Sequence, residues 1–182
     1  MIDNILMALR HINRRIALVV GAVLVVTIVF ILLDITLRQF GASFGGSEEI
    51  SGYVMAGVAS WGLAFALMEQ AHVRIDFVRL RFRSRGRALM DLIAILALAA
   101  TSSVIAIHAW TVLSKTLVRG STANTFLETP LWIPQSVWFS GWVWFAVSSC
   151  LMALLTATLL LKRDLKRLDS IVGTRGETET EV

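Results

Sequence analysis

One cysteine, Cys150, is all the thiol chemistry in this chain of 182 residues. A lone cysteine forms neither an internal disulfide nor a thiol relay, so it says nothing about redox compartment. Proline is nearly as scarce. Pro130 and Pro134 stand together at the mouth of the last apolar run. No run therefore carries the mid-depth break that secondary transporters place at their binding sites, and no repeat relates the two halves. The three histidines, His11, His72 and His108, lie far apart. His108 sits about 20 residues, or roughly 30 Å of helix, from the start of its run, while His72 falls at the opposite edge. That pair cannot sandwich one haem within the chain. No serine or cysteine has an obvious base at similar depth. The sequence also lacks a phosphate-cradling glycine loop and a cluster of metal ligands. These shortages argue against an enzyme, an electron carrier and a complete transporter, and favour an accessory or scaffold subunit.

Charge is scarce too: 16% of residues are charged and 56% are hydrophobic. The apolar residues gather in four runs, Ile16 to Leu37, Ile50 to Met68, Ala88 to Leu117 and Leu131 to Leu161. Runs of about 18 residues or more read as membrane spans. In hydrocarbon a helix satisfies its backbone within one segment. The expected fold is therefore an all-α membrane protein of four transmembrane helices. It forms one domain over residues 1–161, with a short polar tail over 162–182. The first run is too long for a signal-peptide core, and no convincing cleavage site follows it, so it reads as a retained span.

The net charge is +4 and the isoelectric point about 10.0. The basic residues flank the spans, which points to membrane orientation rather than to nucleic acid. Arg10, Arg14 and Arg15 precede the first span, and Lys162, Arg163, Lys166, Arg167 and Arg175 follow the last. Between spans two and three lie Arg74, Arg79, Arg81, Arg83, Arg85 and Arg87. The other two loops hold only Arg38, Lys115 and Arg119. Short basic loops resist translocation, so both termini and the arginine stretch are expected in the cytoplasm. Val73, Ile75, Phe77, Val78, Leu80 and Phe82 alternate with those arginines without forming a clean amphipathic face. This suits a segment at headgroup level, with Arg79, Arg81, Arg83 and Arg85 snorkelling to anionic phospholipid.

Asp34 lies within the first span toward its outer end, with Arg38 four residues on. At that spacing the two side chains meet on one helix face. A structural pair is favoured over a proton or ion relay, because the pair falls toward the span's end. The second span opens on Ser47, Glu48 and Glu49, a helix cap followed by acids at the positive end of the dipole. Alternatively, one glutamate reaches Arg38 across the loop. Gly52, Ala56, Ser60 and Ala64 recur at every fourth position, a small-residue face on which another helix can pack closely. Whether that helix belongs to this chain or to a partner stays open. In the third span the hydroxyls of Thr101, Ser102 and Ser103 read as bonded to their own backbone or across to a neighbour, and His108 as a hydrogen-bonded interior residue rather than a ligand. The fourth opens with Thr129 as cap and Pro130 in its first position. Trp132 and Trp138 suit an interfacial aromatic belt. Trp142 and Trp144 lie about 15 to 20 Å along the helix, facing lipid tails or another helix.

The order of these marks is familiar. Arg38 ends the first span, Glu48 and Glu49 open the second, and Trp61 lies within it. "HVRID" (His72 to Asp76) follows it, and "TPLWIP" (residues 129–134) opens the last. From about Ile16 to Leu161 the chain resembles the small membrane subunit, of the DctQ type, of tripartite ATP-independent periplasmic (TRAP) transporters. It departs in having Ser47 where many relatives have an aromatic residue before the Glu-Glu pair. The resemblance implies a non-catalytic subunit in the bacterial inner membrane, with no cofactor of its own. Its partner would be a large multi-span subunit carrying the sodium and substrate sites. A periplasmic binding protein would deliver an organic acid, a carboxylate or an acidic sugar. Asp34, Arg38, Glu48, Glu49, His72 and Asp76 would then serve structure and assembly. His72 and Asp76, at i and i+4, can fix the turn leaving the second helix, or form a pH-sensitive contact with the large subunit. Two other readings remain: a membrane anchor of a redox complex, and a four-span scaffold that assembles with itself through the Gly52 to Ala64 face.

Overall fold

A computed structural model describes residues 2–71, 82, 84–164 and 168. The expected four membrane-length helices are present: α1 (Ile2–Gln39), α2 (Ser47–Met68), α3 (Ser84–Arg119) and α4 (Trp132–Leu161). Among the described residues no strand forms beyond an isolated antiparallel bridge between Thr122 and Pro130. Three helices run past the expected boundaries. The 38 residues of α1 span about 57 Å, against about 30 Å of hydrocarbon. Its first turns continue through the basic N-terminal stretch because nothing there breaks a helix.

All four helices end in the same way, with a residue of positive φ: Gly41, Gln70, Gly120 and Arg163. At the end of α1 the Ala42 N–H donates to Leu37 O (3.1 Å) and the Gly41 N–H to Arg38 O (3.2 Å). This is a Schellman turn, which satisfies the last carbonyls and reverses the chain. Glycine adopts the left-handed conformation without a Cβ clash, so Gly41 suits that position.

The helices stand in a row rather than a closed bundle. α2 packs between α1 and α4, and α3 lies on the far side of α4. The two central helices, α2 and α4, run parallel. The α2–α4–α3 seams are built from small residues: Ser60 and Ala64 on α2; Gly141, Ser148, Ser149 and Ala153 on α4; Ala99, Ser102 and Ala109 on α3. With no water to exclude, membrane helices associate by close packing, and small side chains permit it. Gly141 is the tightest point. A Cβ there would stand 2.4 Å from Ser60 Oγ and 2.7 Å from Ser60 Cβ. Outside the seams the surface is apolar, with Leu18, Val19, Val25, Val26, Leu32 and Leu33 of α1 all exposed. In water such a patch would drive aggregation, whereas in lipid it meets its own kind.

Candidate functional site

The polar residues gather where loops 40–46 and 120–131 meet. Asp34, in the last turns of α1, is fully buried (0% exposed), whereas Arg38 is 46% exposed. Arg38 donates from Nε to Asp34 Oδ2 (3.0 Å), so the pair expected from their spacing forms. Its Nη2 donates to Ser47 Oγ (3.0 Å), and Ser47 Oγ donates onward to Asp34 Oδ2 (2.7 Å). The other carboxylate oxygen, Oδ1, accepts from Ser43 Oγ (2.9 Å) and from the Phe44 N–H (2.8 Å). Both oxygens of a buried carboxylate are thus saturated, which is the condition for tolerating such a charge away from water. The node stitches α1, its following loop and the first residue of α2 together.

Two expectations are corrected here. Ser47 does not cap α2. The N-cap is Gly46, in a left-handed conformation and without a side-chain bond, and the Ser47 hydroxyl turns to Asp34 instead. Neither glutamate is bonded to Arg38. Glu48 is exposed, and Glu49 faces the other loop. Glu49 Oε1 accepts from the Tyr53 hydroxyl (2.8 Å) and Oε2 from the Thr125 hydroxyl, with the Thr129 side chain and Leu127 backbone also on this carboxylate. That contact displaces a third expectation. Thr129 does not cap α4, which starts two residues after Pro130 with Leu131 as N-cap and no side-chain bond. Pro130 instead sits in the bridge to Thr122, alongside bonds from the Ala123 N–H to Thr129 O (2.9 Å) and the Leu131 N–H to Ser121 O (3.1 Å).

Farther along, Trp61 Nε1 donates to Val137 O (3.0 Å), tying α2 to α4. Trp144 Nε1 donates to Asn13 Oδ1 (3.0 Å), while Asn13 Nδ2 donates to Leu9 O of its own helix (2.9 Å). This second polar joint links α1 to α4. Sequence reasoning missed it because Asn13 is hidden among the basic residues of the N-terminus. Trp142 stacks edge-on against Phe145, its buried indole nitrogen without a partner. Trp132 is exposed and Trp138 half-buried. Along the small-residue face, Ser60 and Ala64 are buried, Ala56 is half-buried, and Gly52 is exposed with open space beside it. In α3, Ser102 and Ser103 bond to Ala99 O, and His108 Nδ1 lies 2.8 Å from Val104 O. Arg85 is exposed in the first turn of α3. His72, Asp76, Arg79, Arg81 and Arg83 lie outside the described residues.

Four long apolar helices, joined at one end by short loops with a buried ionic node, define a multi-pass membrane protein. The family model for tripartite ATP-independent periplasmic transporters, DctQ component, matches residues 27–163, from mid-α1 to just past the end of α4. The chain belongs to that family and is a small component of a TRAP transporter. No curated protein and no solved structure matches it significantly.

Proposed function

We propose that the chain is the non-catalytic small permease subunit that scaffolds the large membrane subunit of a TRAP transporter. The large subunit carries the sodium and substrate sites, and a periplasmic binding protein delivers an organic acid, either a carboxylate or an acidic sugar. The family match over 27–163 carries this reading. The geometry supports it: Asp34 and Glu49, the carboxylates at the short-loop end, are bonded to neighbours in the same chain rather than left to hold a substrate or cation. The arginine and lysine asymmetry supports placement in the inner membrane with both termini cytoplasmic. The node of Asp34 and Arg38 and the Glu49 contact then face the periplasm, where they brace the two loops closest to an arriving binding protein. His72, Asp76 and the arginines after them then lie at the cytoplasmic headgroups.

Deleting the chain from cells that retain the other two components tests the proposal. Uptake should be lost, substrate should still bind the soluble component, and the tagged chain should copurify with a much larger membrane protein. Undiminished uptake after deletion would refute it.

A further inference from the structure

A cavity of about 610 Å³ opens in the wedge between α1, α2 and α4. Its floor is α2, where Gly57 contributes no side chain. One wall is Ile16, Val20 and Val23 of α1, and the other is Ile133 and Val137 of α4. The walls stand apart along the groove, and a polar bond joins α1 to α4 at Asn13 and Trp144. The lining is apolar apart from its ends. Arg15 borders the groove at the end nearest the N-terminus, where it is also exposed, and it forms no ion pair among the described residues.

We propose that this groove holds one acyl chain of an anionic phospholipid whose phosphate sits on Arg15. The dimensions fit. From Arg15 to Val23 the helix rises about 12 Å, close to the roughly 15 Å of one leaflet's hydrocarbon. The groove is apolar along its length and long enough for a flexible chain to lie in it. The charge fits as well, since a guanidinium with no ion pair among the described residues, at one end of an apolar groove, matches a lipid phosphate in donor geometry and in sign. Arg15 lies outside residues 27–163, so the family match assigns it no role. Arg15 belongs to α1 and is separate in sequence from the arginine stretch between α2 and α3.

The test is native mass spectrometry of the full chain, purified with its membrane partner and incubated with phosphatidylglycerol or phosphatidylcholine. The wild type should retain one phosphatidylglycerol, favoured about fivefold over phosphatidylcholine, as expected for one arginine at the membrane surface. Arg15→Gln should abolish that preference and leave phosphatidylcholine retention unchanged. Val20→Phe, which fills the groove, should lower retention of both lipids by about tenfold or more. The proposal fails if Arg15→Gln keeps the preference or if Val20→Phe retains lipid as the wild type does. It also fails if Val20→Phe sheds the large subunit while keeping its lipid, because the groove would then belong to a partner. Should Val20→Phe not fold, the exposed Arg15→Gln variant decides alone.

Discussion

Gly141→Ala adds one methyl group at a close contact between α2 and α4. The new Cβ would lie 2.4 Å from Ser60 Oγ, 2.7 Å from Ser60 Cβ and 2.9 Å from Trp61 Cδ1. Ordinary carbon contacts fall at about 3.5–4.0 Å, so the seam must open by about an ångström. Rotating Ser60 moves its hydroxyl, at the expense of the bond to Gly57 O, but cannot move its Cβ. Overpacking of this kind costs about 1–3 kcal/mol. Alanine also gains up to about 1 kcal/mol over glycine in a helix, so an internal control is needed. Gly52→Ala provides it, because position 52 is helical and a Cβ there meets nothing within 4 Å. Unfolding both variants by SDS titration in mixed micelles should place Gly141→Ala about 1–3 kcal/mol below Gly52→Ala. Ser60→Gly in the Gly141→Ala background should recover most of the loss, whereas Ser60→Ala should not, since it leaves the 2.7 Å clash. Equal stability of the two alanine variants would refute the close α2–α4 contact at Gly141.

Trp144→Phe removes the donor to Asn13 and should cost about 1 kcal/mol in the same titration, within the range of interhelical bonds in membranes; no loss would mean that the α1–α4 joint carries nothing. Asp34→Ala frees Arg38, Ser43, Ser47 and the Phe44 amide together, so cleavage within loop 40–46 by added protease should quicken, with Asp34→Asn falling between the two. Glu49→Ala unpins the other loop. The Ala123 and Leu131 amides should then exchange hydrogen faster while mid-α3 amides stay protected, and unchanged exchange would rule out the Glu49 contact as the pin.

The spans were legible because the hydrocarbon dictates their length and polarity, and the Asp34–Arg38 pair because i,i+4 spacing needs no knowledge of tertiary structure. Apart from the Asn13–Trp144 joint between two helices, what could not be read depended on loops. Ser47 has the composition of a cap, yet the turn through Gly45 and Gly46 swings it onto Asp34. Thr129 and Pro130 look like a helix start, but a contact with Glu49 and a bridge to Thr122 hold them outside α4. Helix ends divide the same way. Gly41 and Gly120 mark theirs in composition, whereas Gln70 and Arg163 adopt the same positive φ with nothing local to announce it. The periodicity of Gly52, Ala56, Ser60 and Ala64 suggested one continuous face, but α4 covers only its inner half, because the two helices close most tightly at Gly141.

Standing side by side like fence posts, the four helices relay mechanical load mainly from neighbour to neighbour, with the Asn13–Trp144 bond a single strut from α1 to α4. A pull on the outermost post, α1, reaches α3 chiefly by way of α2 and then α4. The two middle posts therefore set the stiffness of the whole palisade.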